Sequence, residues 1–165
     1  VYLANSSGIK VGITRGTQIP TRWIDQGATQ ALQIFRVSNR LLSGKIEVAI
    51  KAHVSDRTDW RKMLKAESDR VDLLEKRDEL ILAANSDIQK VKNEVGESDI
   101  EFLNDAEPVN IYYPIASYPE KIKSLNFDKT PEIVGKLNGI KGQYLILDSG
   151  VLNIRKFAGY LIAFG

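Results

Sequence analysis

The stretch VYLANSSGIKVGITRG, from Val1 to Gly16, decides the fold of this 165-residue chain. Two short apolar runs flank the turn-forming sequence NSSG, a pattern typical of a β-hairpin. A loop over Ser6–Gly8 would place Asn5 opposite Ile9, with the glycine in the left-handed conformation that such loops require. The sequence therefore begins with two antiparallel strands.

The apolar pattern of the two strands fixes the predicted register. Leu3 faces Val11 on an apolar side, whereas a shift by one residue would place Lys10 opposite Leu3 and mix the two sides. On the other side Tyr2 lies opposite Gly12, which has no side chain. We expect open space there, beside a phenol and an ammonium, which is a suitable seat for a phosphate. The alternative is an edge hairpin that carries these residues for solubility alone.

The rest of the first third predicts a β-β-α-β-α order. Pro20–Gln26 is typical of a short helix with Gly27 just past its end. Ala31–Val37 alternates between apolar and polar residues and predicts a third strand. Helical spacing of apolar residues over Arg40–His53 predicts a second helix, preceded by a capping sequence.

The remaining two thirds differ in character. Asp59–Val95 predicts a charged helix or helix pair with a narrow apolar stripe at Val71, Leu74, Ile81, Ile88 and Val95. We interpret it as a solvated helix that docks by one stripe, and a partner-binding coiled coil is the alternative. From Pro108 the chain predicts three or four strands, with a turn at Asp148–Gly150. The predicted fold class is α+β, with a core at 1–58, a helical arm or hairpin at 59–107 and a small antiparallel β-module at 108–165, packed on the core.

Several polar residues in the predicted helices suit a functional site. Arg22 and Gln26 lie one helical turn apart, and a guanidinium is well suited to phosphate oxygens. Trp23 is expected to anchor its helix in the core. Glu47 borders an apolar face, as either a solvated flank or a ligand for a hard metal ion. His53 is placed on the apolar stripe, where a hydrogen-bonded core histidine is expected, and is a secondary candidate.

Composition bounds the classes of protein. The chain has no cysteine and a net charge of +2, so it offers neither disulfides nor thiolate metal sites, and charge alone does not predict nucleic-acid binding. It has no apolar run of about 20 residues and no signal peptide, so we expect a cytoplasmic protein without a membrane segment. The chain begins at Val1 inside a predicted strand and without methionine, which predicts a fragment or processed product.

The ordered set of Tyr2, a glycine-containing second strand, Arg22 and Glu47 resembles the GIY-YIG nuclease superfamily. VYL stands at the first tripeptide motif and KVG, Lys10 to Gly12, at the second. More narrowly, KVGITR, PTRWIDQGA, GKIEVAIKAHVSDRTDWRKML and GIKGQYLILDSGVLNIRKFAGY are similar to an uncharacterised bacterial family of conserved proteins. In that family a cysteine-rich stretch precedes this segment.

The resemblance implies hydrolysis of nucleic-acid phosphodiesters, in DNA or RNA, with a single Mg²⁺ or Mn²⁺ ion. Tyr2 would match the tyrosine that activates or orients the attacking water, Arg22 the arginine that neutralises the phosphate, and Glu47 the carboxylate that holds the metal. These three residues and Lys10 form the implied catalytic set.

This chain departs from the superfamily at its second motif, where Lys10 stands in place of a tyrosine. Lys10 can take over phosphate binding, with Gly12, Arg15 and Gln26 as further phosphate-binding candidates. The alternative is a catalytically degenerate domain that binds nucleic acid or acts as a scaffold.

Overall fold

The hairpin forms with the predicted register. Strand β1 (Tyr2–Asn5) pairs with β2 (Ile9–Gly12), with Tyr2 opposite Gly12, Leu3 opposite Val11 and Asn5 opposite Ile9. Only the loop differs, because Gly8 has a φ of 156° rather than a left-handed helical value near 60°. The alternation of apolar residues was therefore sufficient to set the pairing.

The computed structural model describes residues 1–54, 59–163 and 165. Over these residues the fold is mixed α+β, as predicted, and its sheets are small and antiparallel. The helices are α1 (Thr21–Asp25), α2 (Arg40–Lys51), α3 (Trp60–Lys65) and α4 (Leu73–Val95). The further strands are β3 (Gln30–Gln33), β4 (Phe35–Val37), β5 (Ile100–Phe102), β6 (Val109–Asn110), β7 (Leu137–Lys141), β8 (Tyr144–Leu147) and β9 (Gly150–Asn153). None of the described helices is long and apolar enough to cross a bilayer.

The main sheet has the order β2-β1-β3-β6 and is covered on both faces. On one face, Leu3 and Leu32 join a buried cluster with residues of α2 and α4, such as Ile46. On the other face, Tyr2 and Trp23 form a second buried cluster with alanines of β1 and β3. Successive residues of a strand point to opposite faces, so Tyr2 and α2 lie on different sides of this sheet.

The third strand is shorter than predicted. The sequence predicts one strand over Ala31–Val37, but β3 ends at Gln33 and β4 begins at Phe35 in a separate sheet with β5. Ile34 and Phe35 are consecutive, yet both join the cluster that contains Leu3. A continuous pleat would send them to opposite faces, so the strand must break between them.

Helix α2 begins as predicted but ends early. The side chain of Asn39 caps it by accepting from the backbone N–H of Leu42 at 3.0 Å. The helix ends at Lys51, two residues before the predicted end. His53 therefore lies beyond the last turn and is exposed, so its placement on a buried stripe was wrong.

The charged middle segment forms two helices, α3 and α4. Helix α4 docks by one stripe, as predicted, and its buried residues are Leu73, Arg77, Leu80, Ala84, Ile88 and Val91. Of the predicted stripe, Ile88 is buried, and Leu74, Ile81 and Val95 are half-buried and pack against the same core, whereas Val71 lies before the helix and is exposed. The buried residues follow one another at intervals of three or four, the spacing of one helix face. The stripe joins the core of the main sheet, so α4 lies against that core.

The linker of residues 66–72, between α3 and α4, has no helix or strand but is held to the sheet. Buried Gln30 donates to the carbonyl of Val71 and accepts from its N–H, both at 3.0 Å. Asn5 donates to the carbonyl of Asp69 at 2.8 Å. These contacts fix the linker main chain against β1 and β3.

The C-terminal strands β7, β8 and β9 form the predicted antiparallel module, with the predicted turn between β8 and β9. Its buried Ile146 and Val151 pack against Met63 and Leu64 of α3. The module therefore packs on α3, and it also meets the first 58 residues, since a Cβ on Gly142 would lie 3.0 Å from backbone atoms of Asp25 and Gly27.

Lys141 lies at the inner side of this module and is 0% exposed. Its Nζ donates to the carbonyl of Ala66 at 3.2 Å and lies 5.8 Å and 5.4 Å from the ring centroids of Tyr113 and Tyr118. Burial lowers the pKa of Lys141, and the nearby carboxylate of Glu67 partly opposes this effect. The buried ammonium of Lys141 therefore connects the C-terminal module to the linker and to two tyrosines.

Candidate nucleic-acid interface

Tyr2 is 2% exposed and its ring fills the place where the sequence predicts open space. A Cβ atom on Gly12 would lie 2.6 Å from Cζ of Tyr2, so the ring itself covers this glycine. The ring also makes an edge contact with Trp23, at a centroid distance of 6.0 Å. The expected open seat for a phosphate above Gly12 was wrong, because the phenol ring turns inward over the glycine.

Gln26 is a direct partner of Tyr2. Its side-chain amide donates to the hydroxyl of Tyr2 at 2.5 Å and to the carbonyl of Arg22 at 3.0 Å. Arg22 itself is exposed on α1. Gln26 thus holds the phenol against the end of α1, and its amide is already engaged by protein atoms.

Lys10 lies opposite Ala4, on the same face of the hairpin as Tyr2, as predicted. Glu47 is half-buried on α2 and lines a different groove, of about 1030 Å³, together with Asp87 and Lys90 of α4. Helix α2 packs on the face of the sheet opposite the ring of Tyr2. Burial lowers the pKa of the Val1 ammonium, next to Tyr2 in the chain, and the carboxylate of Glu47 partly opposes this effect.

The resemblance implies a metal ion held by Glu47. Glu47 lines the groove between α2 and α4, and Tyr2 is not among the residues that line this groove. In the part of the chain that the structure describes, no group of three or more His, Asp or Glu side chains is placed to hold a metal ion. The implied mechanism uses a single carboxylate, so the assignment of Glu47 as the metal ligand stays a prediction.

A cleft of about 360 Å³ opens between the end of β2 and the segment β4–α2. Arg15 contributes from the chain after β2, and Arg36 and Arg40 contribute from β4 and the first turn of α2. All three arginines are exposed, whereas Phe35 and Tyr2 in the same lining are buried. The lining of the cleft thus combines exposed arginines with buried side chains, and it includes residues on both sides of the break of the third strand at Ile34.

The charges of this cleft are only partly neutralised. Arg36 forms an ion pair with Glu101, with a nitrogen–oxygen distance of 2.9 Å. Arg15 and Arg40 have no acidic partner among residues 1–54, 59–163 and 165. The first turn of α2 contains no acidic residue, so its dipole also favours an anion at this end of the cleft. The arrangement attracts an anionic ligand.

Of the residues that the sequence singled out, Tyr2 and Arg15 line this cleft. The described lining does not include Lys10, Gly12, Arg22, Gln26, Glu47 or His53. Sequence reasoning missed Arg36 and Arg40. A signal for them was present, because the capping sequence at Asn39 already placed a helix N-terminus, with arginines on both sides of it.

Fold and site together define an α+β protein with a cationic cleft at the edge of a small antiparallel sheet. Residues 1–162 match the model of a family described as "Protein of unknown function (DUF2797)". The match spans nearly the whole chain, so the chain belongs to this family. Neither the curated proteins nor the solved structures contain a match to it.

Proposed function

We propose that this protein binds nucleic acid through the phosphates that enter the cationic cleft. The observation that carries the proposal is the pair Arg15 and Arg40, two exposed arginines without acidic partners among the described residues, which line one cleft from separate segments of the chain. A guanidinium offers planar, permanently charged donors that match phosphate oxygens. Two of them in one cleft suit successive phosphates of one strand.

The small net charge of the chain indicates that binding depends on local contacts. At +2, the whole protein exerts little long-range attraction on a polyanion. Affinity must then come from a few local contacts. Substitution of a single arginine in the cleft should therefore have a clear effect, and the salt dependence should be modest.

Binding to fluorescent 12-nucleotide DNA and RNA strands, followed by anisotropy over a range of salt concentrations, tests the proposal. We expect Arg15→Ala and Arg40→Ala each to weaken binding about tenfold and to reduce the salt slope by about one. Arg22→Ala is the matched control, since Arg22 is also exposed but does not line the cleft. A larger loss in Arg22→Ala than in the two cleft variants would contradict the cleft as the binding site.

Metal-dependent cleavage of nucleic acid is a second candidate. It is favoured by the phenol of Tyr2, which lines the same cleft as Arg15 and is held by Gln26, and by the resemblance to GIY-YIG nucleases. Incubation of labelled strands with Mg²⁺ or Mn²⁺ tests for cleavage. Cleavage that is abolished by Tyr2→Phe and Glu47→Ala would support a GIY-YIG mechanism, whereas cleavage unchanged by Glu47→Ala would exclude it.

A further inference from the structure

The cleft has an apolar floor that phosphate binding alone does not require. Phe35 is 4% exposed and lines the floor, with half-buried Ile19 and Val37 beside it. A phosphate is strongly hydrated and gains nothing from apolar side chains. Flat, largely apolar surfaces next to a few polar groups are instead typical of sites for small organic ligands, including nucleobases.

A polar side chain without a partner also lines this cleft. Gln33 is half-buried on β3, directly opposite Tyr2 in the sheet. Its side-chain amide has no hydrogen-bond partner among residues 1–54, 59–163 and 165. An amide carries two donors and one acceptor, which matches the donor and acceptor pattern on the edge of a base.

The size of the cleft restricts what can reach this floor. A volume of about 360 Å³ lies at the lower end of the range of about 300–1000 Å³ for small-molecule sites. A paired and stacked base inside a duplex cannot enter such a space without leaving the stack, at a cost of a few kcal/mol. A base of a single strand is already free to turn outward.

We infer that the cleft takes one unstacked nucleotide of a single strand. The base lies on the floor formed by Phe35, Gln33 bonds to its edge, and Arg15 and Arg40 contact the flanking phosphates. This inference rests on the proposed function and deepens it, because it names single-stranded nucleic acid as the ligand.

The inference is tested with polymers whose strands share the same 12-unit sugar-phosphate backbone and differ in whether their bases are free, paired or absent. The unaltered protein is titrated with a 12-nucleotide thymidine strand, a 12-base-pair duplex, and a 12-unit abasic deoxyribose-phosphate strand, with thymidine monophosphate as competitor. We expect the thymidine strand to bind at least tenfold more tightly than either the duplex or the abasic strand. Gln33→Ala should reduce this preference about fivefold and leave the affinity for the abasic strand unchanged. Gln89→Ala, on the exposed side of α4, is the matched control and should change neither.

The outcomes separate the two proposals. One outcome is that all three polymers bind with equal affinity and that the arginine substitutions weaken the binding of each equally. The cleft then binds phosphates alone, which overturns this inference and leaves the proposed function intact. If the monophosphate displaces the strand at a similar concentration, the ligand is a free nucleotide, and the strand specificity is overturned. If no polymer binds, the proposed function itself fails. The comparison of ligands uses the unaltered protein, so it holds even if Gln33→Ala does not fold.

Discussion

Replacing Lys141 by methionine removes a buried positive charge while keeping an unbranched side chain of similar length. The ammonium group is fully buried, donates to the carbonyl of Ala66 and faces the rings of Tyr113 and Tyr118. Burial lowers the pKa of Lys141 below its ordinary value of 10.5. We expect Lys141→Met to change how the stability of the protein depends on pH.

The direction of this change follows from proton binding. An unfolded chain keeps Lys141 protonated up to about pH 10.5, whereas the folded protein releases the proton at a lower pH. Between these two values the unfolded state binds more protons, so the free energy of unfolding rises with pH by up to about 1.4 kcal/mol per pH unit. Below the lowered pKa, the folded state carries the full cost of the buried charge. The methionine variant has no ionisable group at this position, so its free energy of unfolding lacks this pH dependence.

At pH 7 the favourable contacts of the Lys141 ammonium and the cost of removing it from water are of similar size. The hydrogen bond from a charged donor to Ala66 is worth about 1.5–3 kcal/mol, and each ring contact about 0.5–2 kcal/mol. Removal of an ammonium from water costs several kcal/mol. We therefore expect the stability of Lys141→Met at pH 7 to lie within about 2 kcal/mol of the natural protein.

Urea unfolding followed by tryptophan fluorescence at pH 7.5, 8.5 and 9.5 measures the effect. Relative to Lys141→Met, the natural protein should gain stability as the pH rises toward 10.5, by at most about 1.4 kcal/mol per pH unit. Burial raises the pKa of Tyr113 and Tyr118, so their deprotonation weakens the fold only above pH 10, outside the range. Lys136→Met, at an exposed position just before β7, should show no such trend. Parallel curves for the natural protein and Lys141→Met would refute the reasoning.

Three substitutions test the geometry of the fold. Gly12→Ala would force the ring of Tyr2 aside, so we expect a loss of about 1–3 kcal/mol in thermal unfolding, and an unchanged melting temperature would contradict the inward position of the phenol. Gly44→Ala, where an added Cβ on α2 meets open space, should instead stabilise the protein by about 0.5–1 kcal/mol. Asn39→Ala removes the cap on the N–H of Leu42 and should cost about 1 kcal/mol in urea unfolding, most of which Asn39→Ser should restore.

Features set by neighbouring residues could be predicted from the sequence. The hairpin register follows from Leu3 and Val11, and the start of α2 follows from Asn39, because each signal acts within a few residues. The buried position of Trp23 was also predicted correctly, since a large aromatic ring on a short helix has little else to stabilise it. Local chemistry alone determines these features.

Features that depend on distant contacts could not be predicted. The chain leaves the main sheet at Ile34 because β4 pairs with β5, where Arg36 meets Glu101 from a remote part of the sequence. Residues beyond that departure line the cleft, so the capping sequence at Asn39 indicated a helix N-terminus near Arg36 and Arg40 but not the cleft itself. The position of Glu47 relative to Tyr2 likewise depends on which face of the sheet α2 covers, and distant contacts decide that face.

The linker of residues 66–72 has a consequence for how relatives of this protein can differ in length. Gln30 is 7% exposed, and its side-chain amide bonds to the backbone of Val71. An insertion or deletion beside Val71 would therefore leave buried polar atoms without partners. Each such atom costs about 1–3 kcal/mol. By contrast, residues 128–134 are largely exposed and form neither helix nor strand. Gains and losses of residues over evolution should therefore gather at 128–134 and spare 66–72, although both segments have the composition of ordinary loops.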